Sequence, residues 1–151
     1  MKVLNVNHVG ITVKNLKESI RFYSDVMGFK LVEDISEPVD DPAESIMCIA
    51  KEGARYRMAT MEICDGKLLE MMEFESPESE VEKPVITSSY GATHMSYDVD
   101  DVDEWVEKLR AGGYNVHAEP LLWETDHGTA KWCVFKDING ISIELIGPFT
   151  E

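Results

Sequence analysis

The stretch His8–Val13, with the sequence HVGITV, decides the fold because a second stretch of the same kind follows at His94–Val99, with the sequence HMSYDV. Each stretch starts at a histidine and is rich in β-branched or aromatic residues, a composition that predicts a β-strand. In a strand, successive side chains point to opposite faces, so His8 shares a face with Gly10 and Thr12. The recurrence indicates that the chain contains two copies of one module.

The elements predicted after each of these strands follow the same order in the two halves of the chain. In the first half we predict strands at Val3–Val13, Phe29–Ile35, Tyr56–Ile63 and Lys67–Phe74, with a helix at Leu16–Val26. In the second half we predict strands at His94–Val99, Tyr114–Ala118, Ala130–Phe135 and Ile141–Ile146, with a helix between Asp101 and Gly112. Both halves have the order βαβββ. We predict a single domain with module 1 at about 3–75, a linker at about 76–89 and module 2 at about 90–148.

Charge and composition exclude several classes of partner. The net charge of -15, from 29 acidic and 14 basic residues, repels phosphate backbones and argues against nucleic acid. No apolar run approaches the roughly 20 residues of a membrane span, and the first residues lack the apolar segment of a signal peptide. The cysteines Cys48, Cys64 and Cys133 are odd in number and lack the close spacing of a zinc site. We therefore expect a cytoplasmic protein with reduced thiols and no membrane partner.

Four polar residues stand at matching places in the two modules. They are His8 and His94 in the first strands and Glu70 and Glu144 in the last strands. Apolar residues flank each glutamate, so we expect substantial burial, and a buried carboxylate is usually paired or bound to metal. These nitrogen and oxygen donors suit one divalent cation such as Ni, Zn, Co, Mn or Fe. The alternative is structural: each histidine is satisfied in the core or at the surface, and each glutamate is a solvated edge residue.

Several motifs taken together resemble the vicinal oxygen chelate superfamily. The motifs are 7–11 (NHVGI), 22–23 (FY) with 28–29 (GF), 69–70 (LE), 94–101 (HMSYDVDD) and 137–145 (DINGISIEL). This superfamily includes glyoxalase I, methylmalonyl-CoA epimerase, extradiol dioxygenases and the bleomycin- and fosfomycin-resistance proteins. The resemblance implies an α+β fold in which two βαβββ modules form a cup-shaped mixed sheet around a metal site, with helices on the convex face.

The resemblance also implies a site and a chemistry. It makes His8, Glu70, His94 and Glu144 the metal ligands, a set similar to that of glyoxalase I, with one divalent cation per site. A glutamate ligand then moves the proton, so Glu144 or Glu70 is the expected catalytic base, with Glu144 favoured. This predicts a metal-dependent lyase or isomerase that transfers a proton next to a chelated carbonyl. The alternatives are an Fe(II)-dependent ring-cleaving dioxygenase and a small-molecule binding or resistance protein without turnover.

Fewer sequence features identify residues that bind the substrate than identify the metal ligands. Arg55 and Arg57 share a strand face and could hold an anionic group, or they could be solvated partners of an acidic surface. Trp132 could wall a pocket or belong to the core. His117 and His127 have no counterparts in the first module and are expected to be exposed. Two-module members of the family often dimerise, so the resemblance implies a homodimer that acts on a small molecule.

Overall fold

The computed structural model describes residues 1–47, 50–78, 86–126 and 128–148. The chain divides into two compact units, Met1–Glu82 and Lys83–Glu151, each with one four-stranded sheet. Unit 1 contains β1 (His8–Thr12), α1 (Leu16–Asp25), β2 (Lys30–Glu33), α2 (Pro42–Met47), β3 (Arg55–Cys64) and β4 (Lys67–Ser76). Unit 2 contains β5 (His94–Asp98), α3 (Val102–Ala111), β6 (Leu121–Thr125), β7 (Gly128–Lys136) and β8 (Ser142–Ile146). Apart from α2, both units have the predicted order βαβββ, and the α+β class is confirmed.

The two sheets have equivalent strand orders, β1-β4-β3-β2 in unit 1 and β5-β8-β7-β6 in unit 2. In each sheet the first strand runs parallel to the last, while the other neighbours are antiparallel. Because a parallel pair cannot be joined by a tight turn, the chain must cross over between its first and last strands. The first strand of each module therefore lies directly beside its last strand, where the glutamate candidates are.

One face of each sheet packs against a helix. Asn15 caps α1 by accepting from the Glu18 amide at 3.0 Å, and Asp101 caps α3. The buried side chains of this layer in unit 1 are Leu16, Phe22 and Tyr23 with Ala59, Met61, Leu69 and Met71. In unit 2 they are Val102, Val106 and Leu109 with Cys133, Phe135, Ile143 and Leu145. In the described part of the chain, no helix is long and apolar enough to cross a membrane.

The predicted strand at Tyr114–Ala118 is wrong. This segment makes only an isolated bridge, between Val116 and Phe135, and the strand that lies on the side of β7 away from β8 is β6. The physical reason is that β6 and β7 form a closely spaced hairpin, in which Thr125 pairs with Gly128, so β6 occupies this edge of β7 as far as Trp132 and leaves Phe135 to Val116. The apolar residues of the Tyr114 segment still serve the core, since Val116 is buried.

The acidic segment between β2 and β3, for which no element was predicted from the sequence, contains the short helix α2. Asp41 Oδ1 accepts from the Ala43 amide at 2.7 Å, and Pro42 occupies the first helical position. An aspartate followed by proline is a helix-start signal, so the sequence did contain this element. Ser45 of α2 is buried, and its hydroxyl donates to the carbonyl of Ala54 at 3.4 Å.

Candidate functional site

His8 and Glu70 form a pair in unit 1 because β1 and β4 run side by side. The register places Gly10 opposite Glu70, so His8, Gly10 and Glu70 share one face of the sheet. We call this the histidine face of unit 1; the opposite face, with Leu69, packs on α1. His8 Nε2 lies 3.8 Å from Glu70 Oε1, and their side chains are 43% and 29% exposed.

Unit 2 repeats this arrangement. Ser96 lies opposite Glu144 in the parallel pair of β5 and β8, and His94 stands two residues before Ser96 on the same face. We call this the histidine face of unit 2. His94 Nε2 lies 3.9 Å from Glu144 Oε2, with side chains that are 55% and 22% exposed. Two pairs of the same residue types, built by the same strand pairing, therefore occur in one chain.

The two pairs fit the donor chemistry of a divalent cation. Bonds of about 2.0–2.2 Å to a cation put neighbouring nitrogen and oxygen donors roughly 3.0–3.5 Å apart, so each pair needs only a small side-chain movement to share an ion. The glutamates Glu70 and Glu144 are half-buried, less than the sequence led us to expect. Within the described residues of each unit, no third His, Cys, Asp or Glu joins the pair to make a metal-binding group.

Asn7 orients the His8 ring. His8 Nδ1 lies 2.7 Å from Asn7 Oδ1, and because an amide oxygen only accepts hydrogen bonds, this contact favours the tautomer that carries its proton on Nδ1. The lone pair is then on Nε2, the nitrogen that faces Glu70. Histidine ligands of metals usually donate their other ring N–H in this way. The sequence contained Asn7 only as part of a motif, without a role.

Glu33 and Thr60 extend the histidine face of unit 1. The register pairs Gly10 with Glu70, Glu70 with Thr60 and Thr60 with Glu33, so the four residues form one row across the sheet. Thr60 Oγ1 donates to Glu33 Oε2 at 2.9 Å. Sequence reasoning missed both residues because a register shift between Leu31 and Glu33 decides which side chain of β2 reaches the row.

Trp132 lies on the histidine face of unit 2. It stands two residues from Val134, which is the direct partner of Glu144, in a regular stretch of strand. Trp132 also lines a cleft of about 130 Å³ together with His117, Leu121 and Val134. A volume of about 150 Å³ holds a benzene ring, so the cleft suits a small apolar group. The structure thus brings the predicted Trp132 onto the same sheet face as Glu144.

Arg55 and Arg57 both bind one carboxylate. Arg55 Nε donates to Glu75 Oε2 at 2.7 Å, and Arg57 Nε donates to Glu75 Oε1 at 2.8 Å. Arg55 Nη1 also donates to Asp40 at 3.0 Å. The bonds from Arg57 and then Arg55 lower the pKa of Glu75 from its ordinary value. Both arginines are thus engaged with acidic residues.

The side chain of Arg57 also points away from the candidate metal-binding residues of unit 1. Arg57 lies three residues before Thr60 in a regular stretch of β3, so the two side chains point to opposite faces. Since Thr60 is on the histidine face of unit 1, Arg57 is on the helix side. The structure does not bring Arg57 onto the face of Glu70, and a role for either arginine in binding substrate stays a prediction.

The remaining candidates have minor roles. His117 is exposed, as expected, whereas His127 and Cys48 lie outside the described residues. Cys64 and Cys133 are free thiols, the first exposed and the second buried. Burial raises the pKa of Cys133 to about 11, so this thiol stays protonated near neutral pH and is a poor nucleophile.

Comparison with known proteins agrees with this architecture. Residues 5–145 match the model of the Glyoxalase/Bleomycin resistance protein/Dioxygenase superfamily. A 2-epi-5-epi-valiolone epimerase of Actinomyces sp is 27% identical over 143 residues, which cover 93% of this chain and 78% of that protein. A lactoylglutathione lyase of Neisseria meningitidis is 30% identical over 141 residues, covering 92% of this chain and 87% of the relative.

A solved structure extends the likeness to the whole chain. The glyoxalase family protein from Bacillus cereus superposes with a TM-score of 0.80 and 22% identity, covering 99% of this chain and 97% of that one. The chain belongs to the Glyoxalase/Bleomycin resistance protein/Dioxygenase superfamily, the vicinal oxygen chelate proteins. This superfamily includes enzymes, among them proteins named as epimerases and lyases.

Proposed function

We propose that this protein is a divalent-metal-dependent lyase or isomerase that transfers a proton at a carbon next to a carbonyl group. The observation that carries the proposal is the repeated His–Glu pair, at 3.8 Å in unit 1 and 3.9 Å in unit 2. The residues that would hold one cation are His8, Glu70, His94 and Glu144. When bound, the cation acts as a Lewis acid on the substrate carbonyl.

The proton transfer belongs to Glu144 in this proposal, with Glu70 as the other candidate. The carboxylate takes the proton of the C–H bond next to the carbonyl, and the bonding electrons move into an enolate. The same carboxyl group then delivers the proton to the neighbouring carbon, which completes a 1,2-proton transfer. Inversion at the first carbon would need a second proton donor on the opposite face of the enolate. A half-buried carboxylate suits this step, because partial exclusion of water strengthens its interaction with the charges that develop.

The relatives suggest which compounds to test first. One is named for an epimerase acting on 2-epi-5-epi-valiolone and the other for a lyase acting on lactoylglutathione. Apolar parts of a substrate can bind in the cleft beside Trp132, on the face that also carries Glu144. The homodimer implied by the family likeness remains part of the proposal.

The proposal is tested by solvent exchange. Protein loaded with Ni²⁺ or Co²⁺ is incubated in D2O with a hemithioacetal, a 2-methyl acyl-thioester or 2-epi-5-epi-valiolone, and loss of the C–H signal is followed by NMR. We expect exchange with at least one compound and a rate about 10²–10⁴-fold lower for Glu144→Gln, because a positioned general base contributes that much. Glu107→Gln, an exposed change on α3, is the charge-matched control.

The outcomes separate the proposal from its alternatives. Exchange that is equally fast in Glu144→Gln with metal still bound would reject Glu144 as the base. Failure of all three compounds, together with oxygen uptake by the Fe²⁺-loaded protein on a catechol, would favour the ring-cleaving dioxygenase. Tight binding of a compound without exchange or oxygen uptake would favour a binding protein.

A further inference from the structure

The row that contains Glu70 ends in a second carboxylate. Glu33, on the edge strand β2, is two strands away from Glu70 on the histidine face of unit 1. At a spacing of about 4.8 Å between strands, the backbones of Glu33 and Glu70 lie about 10 Å apart. A small molecule that is bound at Glu70 by one end can therefore reach Glu33 with its other end.

Glu33 is held in place but still able to accept hydrogen bonds. Thr60, 92% buried, donates its hydroxyl to Oε2 at 2.9 Å, which fixes the direction of an otherwise mobile side chain. Among the described residues, this is the one hydrogen bond of the Glu33 side chain. Glu33 is an exposed residue, and its second carboxylate oxygen, Oε1, makes no hydrogen bond to the described residues, so a ligand can bind to it. An ionised carboxylate accepts hydrogen bonds and donates none.

The charged residues around Glu33 determine whether the remote group of such a ligand is anionic or neutral. Arg57, which could have neutralised an anion, points to the helix side and is bound to Glu75. Lys30, at the other end of β2, stands opposite Glu62 in the neighbouring row. An anionic group brought to Glu33 would meet a like charge, whereas a hydroxyl group would gain a charge-assisted hydrogen bond.

We propose that Glu33 is a specificity-determining residue that selects substrates with an uncharged hydroxyl group remote from the reacting carbonyl. The inference rests on the proposed function, since it assumes that a chelating group of the substrate binds beside Glu70. It names the substrate class as neutral hydroxylated carbonyl compounds rather than carboxylate- or phosphate-bearing conjugates. Thr60 acts through Glu33 as a positioning residue.

The test uses three hydroxamates, which chelate divalent metals through two neighbouring oxygens. Benzohydroxamate, 4-(hydroxymethyl)benzohydroxamate and 4-carboxybenzohydroxamate differ only at the far end of the ring. Their affinities for the Ni²⁺-loaded protein are measured by calorimetry. We expect the dissociation constant of the hydroxymethyl compound to be lower than that of the carboxy compound by a factor of about ten or more. A hydrogen bond to a charged group contributes about that factor. Glu33→Gln should reduce this ratio severalfold, and Glu33→Lys should reverse it.

Controls separate this inference from the proposed function. Glu107→Gln should keep the wild-type ratio, because it removes the same charge from a distant exposed position. If benzohydroxamate shows no metal-dependent binding, the proposed function and the inference both fail. If it binds but the ratio is the same in wild type, Glu33→Gln and Glu33→Lys, only the role of Glu33 is rejected. Unchanged melting temperatures of the variants establish that they are folded.

Discussion

Glu75 is a carboxylate shared by two guanidinium groups, and its protonation should weaken the fold. The hydrogen bonds from Arg57 and then Arg55 lower the pKa of Glu75 in the folded protein. The stability that the ionised Glu75 contributes is therefore fully present above the ordinary pKa of glutamate. It is lost as the pH falls through the lowered pKa. We expect Glu75→Gln to lower the urea midpoint at pH 7 by a small amount and to have almost no effect at pH 2. The matched control is Glu52→Gln in an exposed turn. An equal effect of Glu75→Gln at both pH values would contradict this expectation.

Single residues show how far the sequence can be used to locate a site. The sequence repeat shows that His8 corresponds to His94 and that Glu70 corresponds to Glu144. In the structure, the histidine and the glutamate of each unit lie close together. The sequence could not place Glu33, because its partner is fixed by an irregular register in β2. The pairing of strands, which decides the neighbours of a side chain, is a property of the folded sheet rather than of a local pattern.

At the level of elements, α1 is fixed to its sheet by a polar contact. Glu73 of β4 accepts from the amide of Leu16, the first residue of α1, at 2.6 Å. That amide is one of the donors that a helix cannot satisfy internally, and a negative charge at this end also interacts favourably with the helix dipole. The link therefore joins the crossover helix to the strand that carries Glu70.

Removing this contact should lower the free energy of unfolding. We expect Glu73→Ala to cost about 1–2 kcal/mol, the usual effect of losing a charged acceptor at a helix start, and Glu73→Gln to cost less because the amide oxygen still accepts. Urea unfolding measures both values. A Glu73→Ala curve that coincides with wild type would show that another acceptor replaces the carboxylate. Asn15→Ala, which removes the neighbouring cap, gives a scale for comparison.

The elements also show why most of the fold was predictable. Within the described residues, periodicity and turn residues identified α1, α3 and seven of the eight strands. The helices and the strands β3, β4, β7 and β8 carry buried apolar residues, whereas β1 and β2 were found from their composition and their flanking turns although they have no buried residue. There are two exceptions. In unit 2 the hairpin partner of β7 is β6 rather than the segment at 114–118, and in unit 1 Asp41 and Pro42 begin a helix in a polar segment.

At the scale of the whole molecule, metal stoichiometry distinguishes one shared ion from two separate ones. If both His–Glu pairs serve one cation, metal analysis should give about one ion per chain, and His8→Ala and His94→Ala should each lose most of it. Glu70→Gln should retain more, because an amide oxygen can still coordinate. Two ions per chain in wild type, with one left in each histidine variant, would show that the pairs bind independently.

Metal binding should also stabilise the fold. A ligand at 100 times its Kd adds about 2.7 kcal/mol if it binds only the native state, which is roughly 5–10 °C in Tm for a chain of this size. We expect a chelator to lower the Tm of wild type by such an amount and to leave the double variant His8→Ala/His94→Ala unchanged. Equal melting curves before and after verified metal removal would contradict a metal site in the native protein.

Substitutions at Gly10 offer a way to change the space beside the Glu70 carboxylate in small steps. A methyl group at this position would lie 3.9 Å from Glu70 Oε1, an ordinary contact, and the backbone of Gly10 is not in the left-handed region. Alanine can therefore be introduced without a clash, and serine and valine then measure how much more of the space beside this carboxylate can be filled. The corresponding position of the second module carries Ser96 opposite Glu144, so the same strand pairing accommodates a small side chain beside a glutamate.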